Sequence, residues 1–150
     1  MDKDEIYMNL AIAQANKSLS LSEVPVGAVI VFNDAVIAES HNRLISNVDP
    51  SAHAEINAIR EASRVLGNYR LLDAEIYVTL QPCLMCYGAI VNARIKRIVF
   101  GAFDSKDNSC LIYNSDKVIN SFNHKPEIKG GVLESECGNI LRKFFKSKRL

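Results

Sequence analysis

The chain has 150 residues, 48% of them hydrophobic and 23% charged, which excludes intrinsic disorder and is typical of one globular domain spanning residues 1–150. Its formal net charge of +1 excludes a strong overall attraction to nucleic acid, so any basic surface must be local. No apolar run approaches the length of a membrane span and the N-terminus is acidic, so neither membrane insertion nor secretion is expected. Four cysteines in a chain without an export signal favour metal or redox chemistry over disulfides, and therefore a cytoplasmic protein.

In chain order, the hydrophobic pattern alternates between helical and strand periodicity. A first amphipathic helix is predicted over 5–19, and the Asn33-Asp34 pair between two β-rich runs predicts a hairpin. A second helix is predicted over 52–66, with Gly67-Asn68 as its stop signal. The later elements are a strand over 76–80, a helix over 83–93 opened by Pro82, a strand over 97–101, a short helix near 114–122 and a closing helix over 135–148. This alternation predicts the α/β class, as a three-layer α/β/α sandwich around a central mixed sheet.

Two short motifs carry candidate metal ligands, each at the predicted start of a helix: His53-Ala54-Glu55 and Pro82-Cys83-Leu84-Met85-Cys86. Alone, a histidine or a Cys-x-x-Cys pair is weak support for a metal site, but the combination is specific. Zinc prefers tetrahedral nitrogen and sulfur ligands, and structural zinc sites fill all four positions with protein side chains. Only His53, Cys83 and Cys86 are apparent here, which leaves one position for water, as a catalytic site requires.

The positions of the motifs favour the charged forms that such a site needs. Unsatisfied N–H groups and the positive end of the helix dipole stabilise thiolate and hydroxide at helix N-termini. Glu55, two residues after the histidine, is better placed to reach a bound water than to join the ligands, and its carboxylate can carry protons. The residues therefore predict an open zinc site with Glu55 as general acid and base, for deaminase or hydrolase chemistry.

These motifs resemble the zinc nucleobase deaminases, whose signature joins H-x-E to P-C-x-x-C. The resemblance runs from the first helix to the last and is to the bacterial tRNA-specific adenosine deaminases. It is carried by Glu23-Val24-Pro25-Val26-Gly27-Ala28-Val29, Ala52-His53-Ala54-Glu55-Ile56, Tyr69-Arg70-Leu71, Tyr77-Val78-Thr79-Leu80, Pro82-Cys83-Leu84-Met85-Cys86, Val99-Phe100-Gly101-Ala102 and Asn123-His124. It implies a cytidine deaminase-like fold, one Zn²⁺ per subunit and a cytoplasmic homodimer acting on a tRNA anticodon loop. The implied reaction converts adenosine to inosine at the wobble position, with Glu55 protonating adenine N1 and carrying a proton to the departing ammonia.

The resemblance also implies contacts with RNA. Asn42 matches an asparagine that contacts the target nucleotide, where its amide can donate and accept at once; the alternative is a turn residue after a strand. Asp104 and Lys106 match a loop beside the RNA, where lysine meets phosphate and aspartate a 2′-hydroxyl; either is otherwise an ordinary loop charge. In the closing helix, Phe145 is the predicted stacking residue among basic neighbours, and one ring of the Phe144-Phe145 pair is expected in the core.

Two positions depart from the family pattern. Gln81 stands where the family usually has glutamate, directly before the Pro-Cys of the zinc motif. Removing a charge beside a metal site can alter zinc affinity or rate, but it does not change the reaction type. The 107–111 loop lacks the glycines often found there in the family, and Asn108 is a partial substitute in backbone freedom.

Two other functions fit part of the pattern. A deaminase of a free base or nucleoside, such as guanine or cytosine, uses the same zinc chemistry, but the basic aromatic tract over 142–149 then has no role. A non-catalytic RNA-binding or structural zinc protein needs a fourth protein ligand, and it leaves Glu55 without a role.

Overall fold

The computed structural model describes residues 1–104 and 122–149. Within these ranges the helices are α1 (Lys3–Leu19), α2 (Ala54–Leu66), α3 (Leu84–Asn92) and α4 (Glu134–Lys148). The strands are β1 (Gly27–Phe32), β2 (Ala35–His41), β3 (Glu75–Leu80), β4 (Arg97–Ala102) and β5 (Glu127–Lys129). None of these helices combines the length and apolar character that crossing a bilayer requires. The predicted helix near 114–122, apart from Phe122, and the 107–111 loop lie outside the described residues.

The five strands form one mixed sheet in the order β2-β1-β3-β4-β5. β1 pairs antiparallel with β2 and β3, whereas the β3–β4 and β4–β5 pairs are parallel. The prediction of a mixed sheet is therefore confirmed. β5 has no counterpart in the sequence prediction, because three exposed residues at a sheet edge are too short to show a periodicity.

Successive residues of the central strands point to opposite faces of the sheet, and helices cover both faces. Ala28 and Ile30 of β1 belong to a core shared with α2 and α3, whereas Val29 and Val31 belong to a second core shared with α1 and α4. β1, β3 and β4 are buried almost throughout, because the middle of a sheet between two helical layers has no face in water. This arrangement is the predicted three-layer α/β/α sandwich.

Local chemistry decides where several elements begin and end. Asn33 and Asp34 both have positive φ, 50° and 60°, which is the conformation of a tight hairpin turn, as predicted. Gly67 ends α2 in the left-handed conformation with φ 63°. α1 begins two residues earlier than predicted, because the Asp2 side chain accepts a hydrogen bond from the backbone N–H of Glu5 and caps the helix.

Both helices of the candidate site begin slightly later than predicted. His53 is the N-cap of α2 and Cys83 is the N-cap of α3, and both have extended backbone conformations. Pro82 therefore precedes the cap of α3 and does not open its first turn. The consequence is that two of the three predicted metal ligands lie at cap positions, directly beside the free N–H groups of a helix.

A buried ionic cluster holds the opposite edge of the sheet, where β3 and β4 begin. The Asp4 carboxylate accepts hydrogen bonds from both terminal nitrogens of Arg97 and from Lys129, each at 2.8 Å, and from the Tyr77 hydroxyl at 3.0 Å. Arg97 also pairs with Glu75 at 3.0 Å. The hydrogen bonds from Arg97, with smaller contributions from Lys129 and Tyr77, hold the pKa of Asp4 well below its usual range.

Asp4→Asn is expected to lower the free energy of unfolding by about 2 kcal/mol near neutral pH, because it removes the carboxylate that both terminal nitrogens of the largely buried Arg97 contact. Since the native pKa of Asp4 is lowered, its contribution is complete above the unfolded pKa of about 3.9 and is lost as pH falls towards the native pKa. Urea unfolding near neutral pH and at about pH 3 measures this, and the difference between native chain and variant should narrow at the lower pH. Glu127→Gln is the matched control, because that carboxylate is 72% exposed and 3.9 Å from Arg97, and its loss should cost below about 0.5 kcal/mol. Equal losses in the two variants would contradict the assignment.

Candidate active site

The predicted site residues gather at one edge of the sheet. β2, β3 and β4 end at this edge, and β1 begins there. The segments after these strands carry Asn42 after β2, Cys83 after β3 and Asp104 after β4. α2 begins at the same edge and brings His53 and Glu55. Four separate stretches of chain therefore supply one site.

His53, Cys83 and Cys86 form a single cluster. Each offers one possible ligand atom, and the three atoms all lie within 4.8 Å of one another. Nδ1 of His53 is 3.7 Å from Sγ of Cys83 and 3.4 Å from Sγ of Cys86. Within residues 1–104 and 122–149, no further histidine, cysteine or carboxylate completes a fourth ligand of this cluster. Three ligands at two helix N-termini are the arrangement that the motifs predict.

Hydrogen bonds within the cluster redistribute its protons. The hydrogen bond from Cys86, together with that of His53, lowers the pKa of the Cys83 thiol to about 4. The same bond and burial raise the pKa of Cys86, and the bond to Cys83 raises the pKa of His53. One thiolate is thus already favoured, and a divalent metal that displaces the remaining protons gains two sulfur donors and one nitrogen donor. That donor set is one that zinc prefers, so the residues fit zinc.

Glu55 lies beside this cluster, in the first turn of α2, with 4% of its surface exposed. Burial raises the pKa of its carboxyl to about 7, and the carboxylate shares a hydrogen bond with Cys86. With His53 and Cys83, Glu55 lines a cavity of about 620 Å³. A carboxyl group of this pKa can both accept and release a proton near neutral pH.

Asn42 lines the same cavity, and its amide has a defined orientation. Oδ1 accepts a hydrogen bond of 2.8 Å from the backbone N–H of Ala54, at the start of α2. The backbone N–H of Asn42 donates to the Val26 carbonyl at 3.1 Å. Among the described residues, no acceptor receives the Nδ2 amide. Asn42 therefore presents a hydrogen-bond donor to the cavity. The sequence predicted that its amide would both donate and accept there, but its oxygen is already engaged by Ala54.

Gln81, the departure from the family pattern, ties the metal-binding segment to the segment after β4. Its side chain is 4% exposed, and its Oε1 accepts a hydrogen bond of 3.0 Å from the backbone N–H of Asp104. Asp104 is half-buried and lines the site cavity. A glutamate oxygen can accept the same bond, so the acceptor role survives in this chain while the negative charge is absent.

The basic aromatic tract lies on α4 and reaches the site with a different ring from the one predicted. Phe144 and Lys148 line the site cavity, whereas Phe145 lines a second cavity of about 720 Å³. Asp104 lines both cavities, so they adjoin. The two rings meet edge to face with centroids 5.4 Å apart. Both are half-buried, so the expectation that one belongs to the core is wrong. The remaining predicted contact, Lys106, lies outside the described residues.

Several further residues line the site cavity without having been assigned a role from the sequence, among them Glu23, Leu44 and Ile45. Glu23 is the first residue of the first motif shared with the deaminases. The motif draws attention to this position, but it does not indicate what the carboxylate does. Leu44 and Ile45 lie in an irregular loop, where no periodicity distinguishes a wall residue from a solvent-exposed one.

Comparison with known proteins agrees with this geometry. Residues 1–102 match the profile of the cytidine and deoxycytidylate deaminase zinc-binding region. Over 148 residues the chain is 49% identical to the tRNA-specific adenosine deaminase of Buchnera aphidicola subsp. Baizongia pistaciae, covering 99% of this chain and 91% of that protein. The chain belongs to the tRNA-specific adenosine deaminases, within the cytidine and deoxycytidylate deaminase family. Zinc is therefore the cofactor of this deaminase, and His53, Cys83 and Cys86 are the group in position to bind it.

Solved structures place the deaminase in the same fold. A structure from a study of A-to-I editing by tRNA:A34 deaminases superposes with a TM-score of 0.82 at 43% identity, over 90% of this chain and 98% of that chain. A guanine deaminase from Bacillus subtilis superposes with a TM-score of 0.66 at 37% identity, over 84% of this chain and 79% of that chain. The predicted cytidine deaminase-like fold is confirmed, and one fold serves both an RNA and a free-base reaction among its relatives.

Proposed function

We propose that this deaminase converts adenosine to inosine at the wobble position of a tRNA anticodon, by hydrolysis that releases ammonia. The observation that carries the proposal is the site cavity, in which Glu55 is buried beside His53 and Cys83 while Phe144 and Lys148 of α4 form another part of the wall. A ring and a cation in the wall suit an unstacked base and its phosphate. The tRNA-specific relatives and the A-to-I editing structure support the choice of substrate.

In this proposal, Nδ1 of His53 and the Sγ atoms of Cys83 and Cys86 hold the zinc. When bound, zinc supplies Lewis-acid activation of the water that attacks C6 of the adenine. The chain contributes three ligands, the number expected of a catalytic zinc site. Cys83 and Cys86 lie at the start of α3, where the free N–H groups and the helix dipole stabilise both thiolates.

Glu55 moves the protons. Its carboxylate takes one proton from the attacking water and delivers it to adenine N1, which makes C6 more electrophilic. It then takes the remaining proton of the same oxygen to the 6-amino group, which leaves as ammonia while C6 becomes the carbonyl of inosine. Burial of Glu55 restricts exchange of these protons with bulk water.

The remaining predicted site residues are proposed to bind RNA. Asn42 donates from Nδ2 to the target nucleoside, since its Oδ1 is already engaged by the start of α2. Asp104 and Phe145, which line the adjoining cavity, contact the neighbouring nucleotides of the loop. Lys106 meets a phosphate of the same loop. A base in a single-stranded loop is unstacked at a small cost in free energy, which suits an anticodon loop as the substrate.

A substrate panel separates this function from its alternatives. Zinc-loaded protein is incubated with an anticodon stem-loop carrying adenosine at the wobble position, the same stem-loop with the adenosine moved by one nucleotide, free adenosine, guanine and cytosine. We expect inosine in the first substrate and at least about 10²-fold less product from every other. Conversion of guanine or cytosine with no RNA product would assign the protein to the free-base deaminases, towards which the Bacillus subtilis structure points. No product from any substrate would favour a non-catalytic zinc protein.

We also propose that the enzyme is a cytoplasmic homodimer. Large apolar side chains are exposed at the end of α2, in the α2–β3 connection and at the start of α3: Val65, Tyr69, Leu72, Leu84 and Met85, each between 43% and 70% exposed. Exposed apolar groups on one side of a sheet suit an interface between copies. A monomeric sedimentation coefficient at micromolar concentration would contradict the dimer. Soluble tRNA as substrate would place the enzyme in the cytoplasm.

A further inference from the structure

Glu23 is a buried carboxylate that the proposed reaction does not use. It lies between α1 and β1 with 1% of its surface exposed, and it lines the site cavity. Among the described residues, no lysine, arginine or histidine pairs with it. A buried charge without a cation is costly unless hydrogen bonds compensate it, so its partners show what the charge holds in place.

Among the described residues, the donors to this carboxylate all come from one loop, the residues 43–49 after β2. Oε1 accepts from the backbone N–H of Ile45 at 3.1 Å, and Oε2 accepts from the backbone N–H of Ser46 at 2.8 Å and from its hydroxyl at 2.6 Å. The tip of the loop has little apolar anchoring, since Ile45 is 67% exposed and Val48 is 91% exposed. Glu23 is therefore a buried anchor for a loop that is otherwise largely in solvent.

The anchored loop forms part of the wall of the site cavity. Leu44 and Ile45 line the cavity that contains His53 and Glu55. The loop begins directly after Asn42, the residue whose amide donor is available to a substrate. An enzyme that acts on an extruded nucleobase grips its faces with aromatic or apolar side chains, and two aliphatic residues in this position suit that contact.

We propose that Glu23 is a positioning residue for the nucleic-acid substrate, which holds the 43–49 loop so that Leu44 and Ile45 form the apolar wall against which the target nucleobase packs. The identity of the ligand in this inference rests on the proposed function. The anchoring of the loop by Glu23 is independent of that function. A purely structural role would instead lower stability and leave substrate binding by the folded enzyme unchanged.

The anchoring is tested by hydrogen exchange, measured residue by residue with NMR. Glu23→Gln replaces one acceptor oxygen by an N–H₂ group that cannot accept from the loop. We expect exchange of the Ile45 and Ser46 amides to become about tenfold faster, while amides of β1 and β3 keep their rates. Glu39→Gln makes the same chemical change at an exposed position of β2 and should leave the loop amides unaltered. Unchanged exchange at both loop amides in Glu23→Gln would overturn the inference.

The effect on substrate is tested by steady-state kinetics on the anticodon stem-loop, at a temperature where every variant is fully folded and zinc-loaded. For Glu23→Gln we expect KM to rise about tenfold with kcat changed by less than about twofold, because the wall contributes to binding and not to proton transfer. Glu39→Gln should reproduce the native constants. A lower melting temperature with an unchanged KM would assign Glu23 a structural role only.

Ile45→Ala tests the wall without altering Glu23. The side chain is largely exposed, so the variant is expected to fold, and KM should rise about threefold to tenfold with kcat retained. An unchanged KM in Ile45→Ala would contradict the proposal that Ile45 forms part of the apolar wall, even if Glu23→Gln failed to fold. If the native enzyme converted none of the RNA substrates, the proposed function would fail while the amide exchange still decided whether Glu23 anchors the loop.

Discussion

Replacing Glu55 by glutamine is expected to reduce deamination by about 10³-fold or more while the protein keeps one zinc per chain. The amide has nearly the same shape as the carboxylate, but it cannot take a proton from water or deliver one to N1 and to the leaving group. The Glu55 carboxylate does not belong to the group of clustered ligand atoms. We therefore expect its replacement to abolish proton transfer and to leave the zinc bound. Single-turnover formation of inosine in the stem-loop measures the rate, and elemental analysis of the same sample measures the zinc.

Glu61→Gln is the matched control for this experiment. Glu61 is exposed on the same helix, α2, so the variant makes the same chemical change away from the cavity. It should keep its full rate and zinc content. A Glu55→Gln enzyme with native activity would remove Glu55 from the mechanism, and one that lost its zinc would place Glu55 in the metal site itself.

Cys86→Ser is expected to lower zinc affinity by at least about 10²-fold and to reduce activity to the level without enzyme. Removal of groups that merely support metal ligands already costs 10- to 100-fold in many sites, and here a ligand itself is lost. Serine is a harder and far weaker donor for zinc than thiolate. The melting temperature should also fall, because zinc bound to the native state stabilises it. Competition with a chromophoric chelator measures the affinity, and calorimetry measures the melting temperature.

Cys137→Ala separates this loss from the removal of any buried thiol. Cys137 is buried on α4 against Gly101 of β4, and its side chain leaves no space at position 101 for a residue larger than glycine. Burial raises the pKa of the Cys137 thiol to about 12. The variant should lose some stability from the missing packing but keep its zinc and its rate. Zinc loss in Cys137→Ala comparable to that in Cys86→Ser would contradict the assignment of the ligands.

The metal cluster could be predicted because its chemistry is encoded locally. Zinc chemistry restricts the ligand types to a few residues, and the Cys-x-x-Cys spacing brings both thiols to one helix start whatever the rest of the fold does. His53 and Glu55 are likewise two residues apart at the start of α2, so each pair could be placed before the two were known to meet. The strong alternation of buried strands and amphipathic helices predicted the sandwich for the same reason.

The RNA side of the site could be predicted only in part. The tract on α4 was recognisable as basic and aromatic, but the choice between Phe144 and Phe145 depends on how α4 is rotated against the sheet, which Cys137 of α4 contacts at Gly101 of β4. Adjacent residues on a helix point about 100° apart, so the rotation of the helix decides which of the two rings faces the cavity. The orientation of Asn42 has a similar origin, because its Oδ1 partner lies twelve positions away at the start of α2.

By itself, the sequence determined the class of fold and identified the candidate zinc ligands and the candidate proton carrier, because periodicity and ligand spacing act over a few neighbouring residues. Only the tertiary structure decided that His53 meets Cys83 and Cys86, that Phe144 faces the cavity, and that Glu23 holds the 43–49 loop. These contacts join residues that are distant in the chain, and their geometry follows from strand order and helix packing. No local sequence pattern carries that information. The role of a buried carboxylate such as Glu23 can be recognised only when the positions of its hydrogen-bond donors are known.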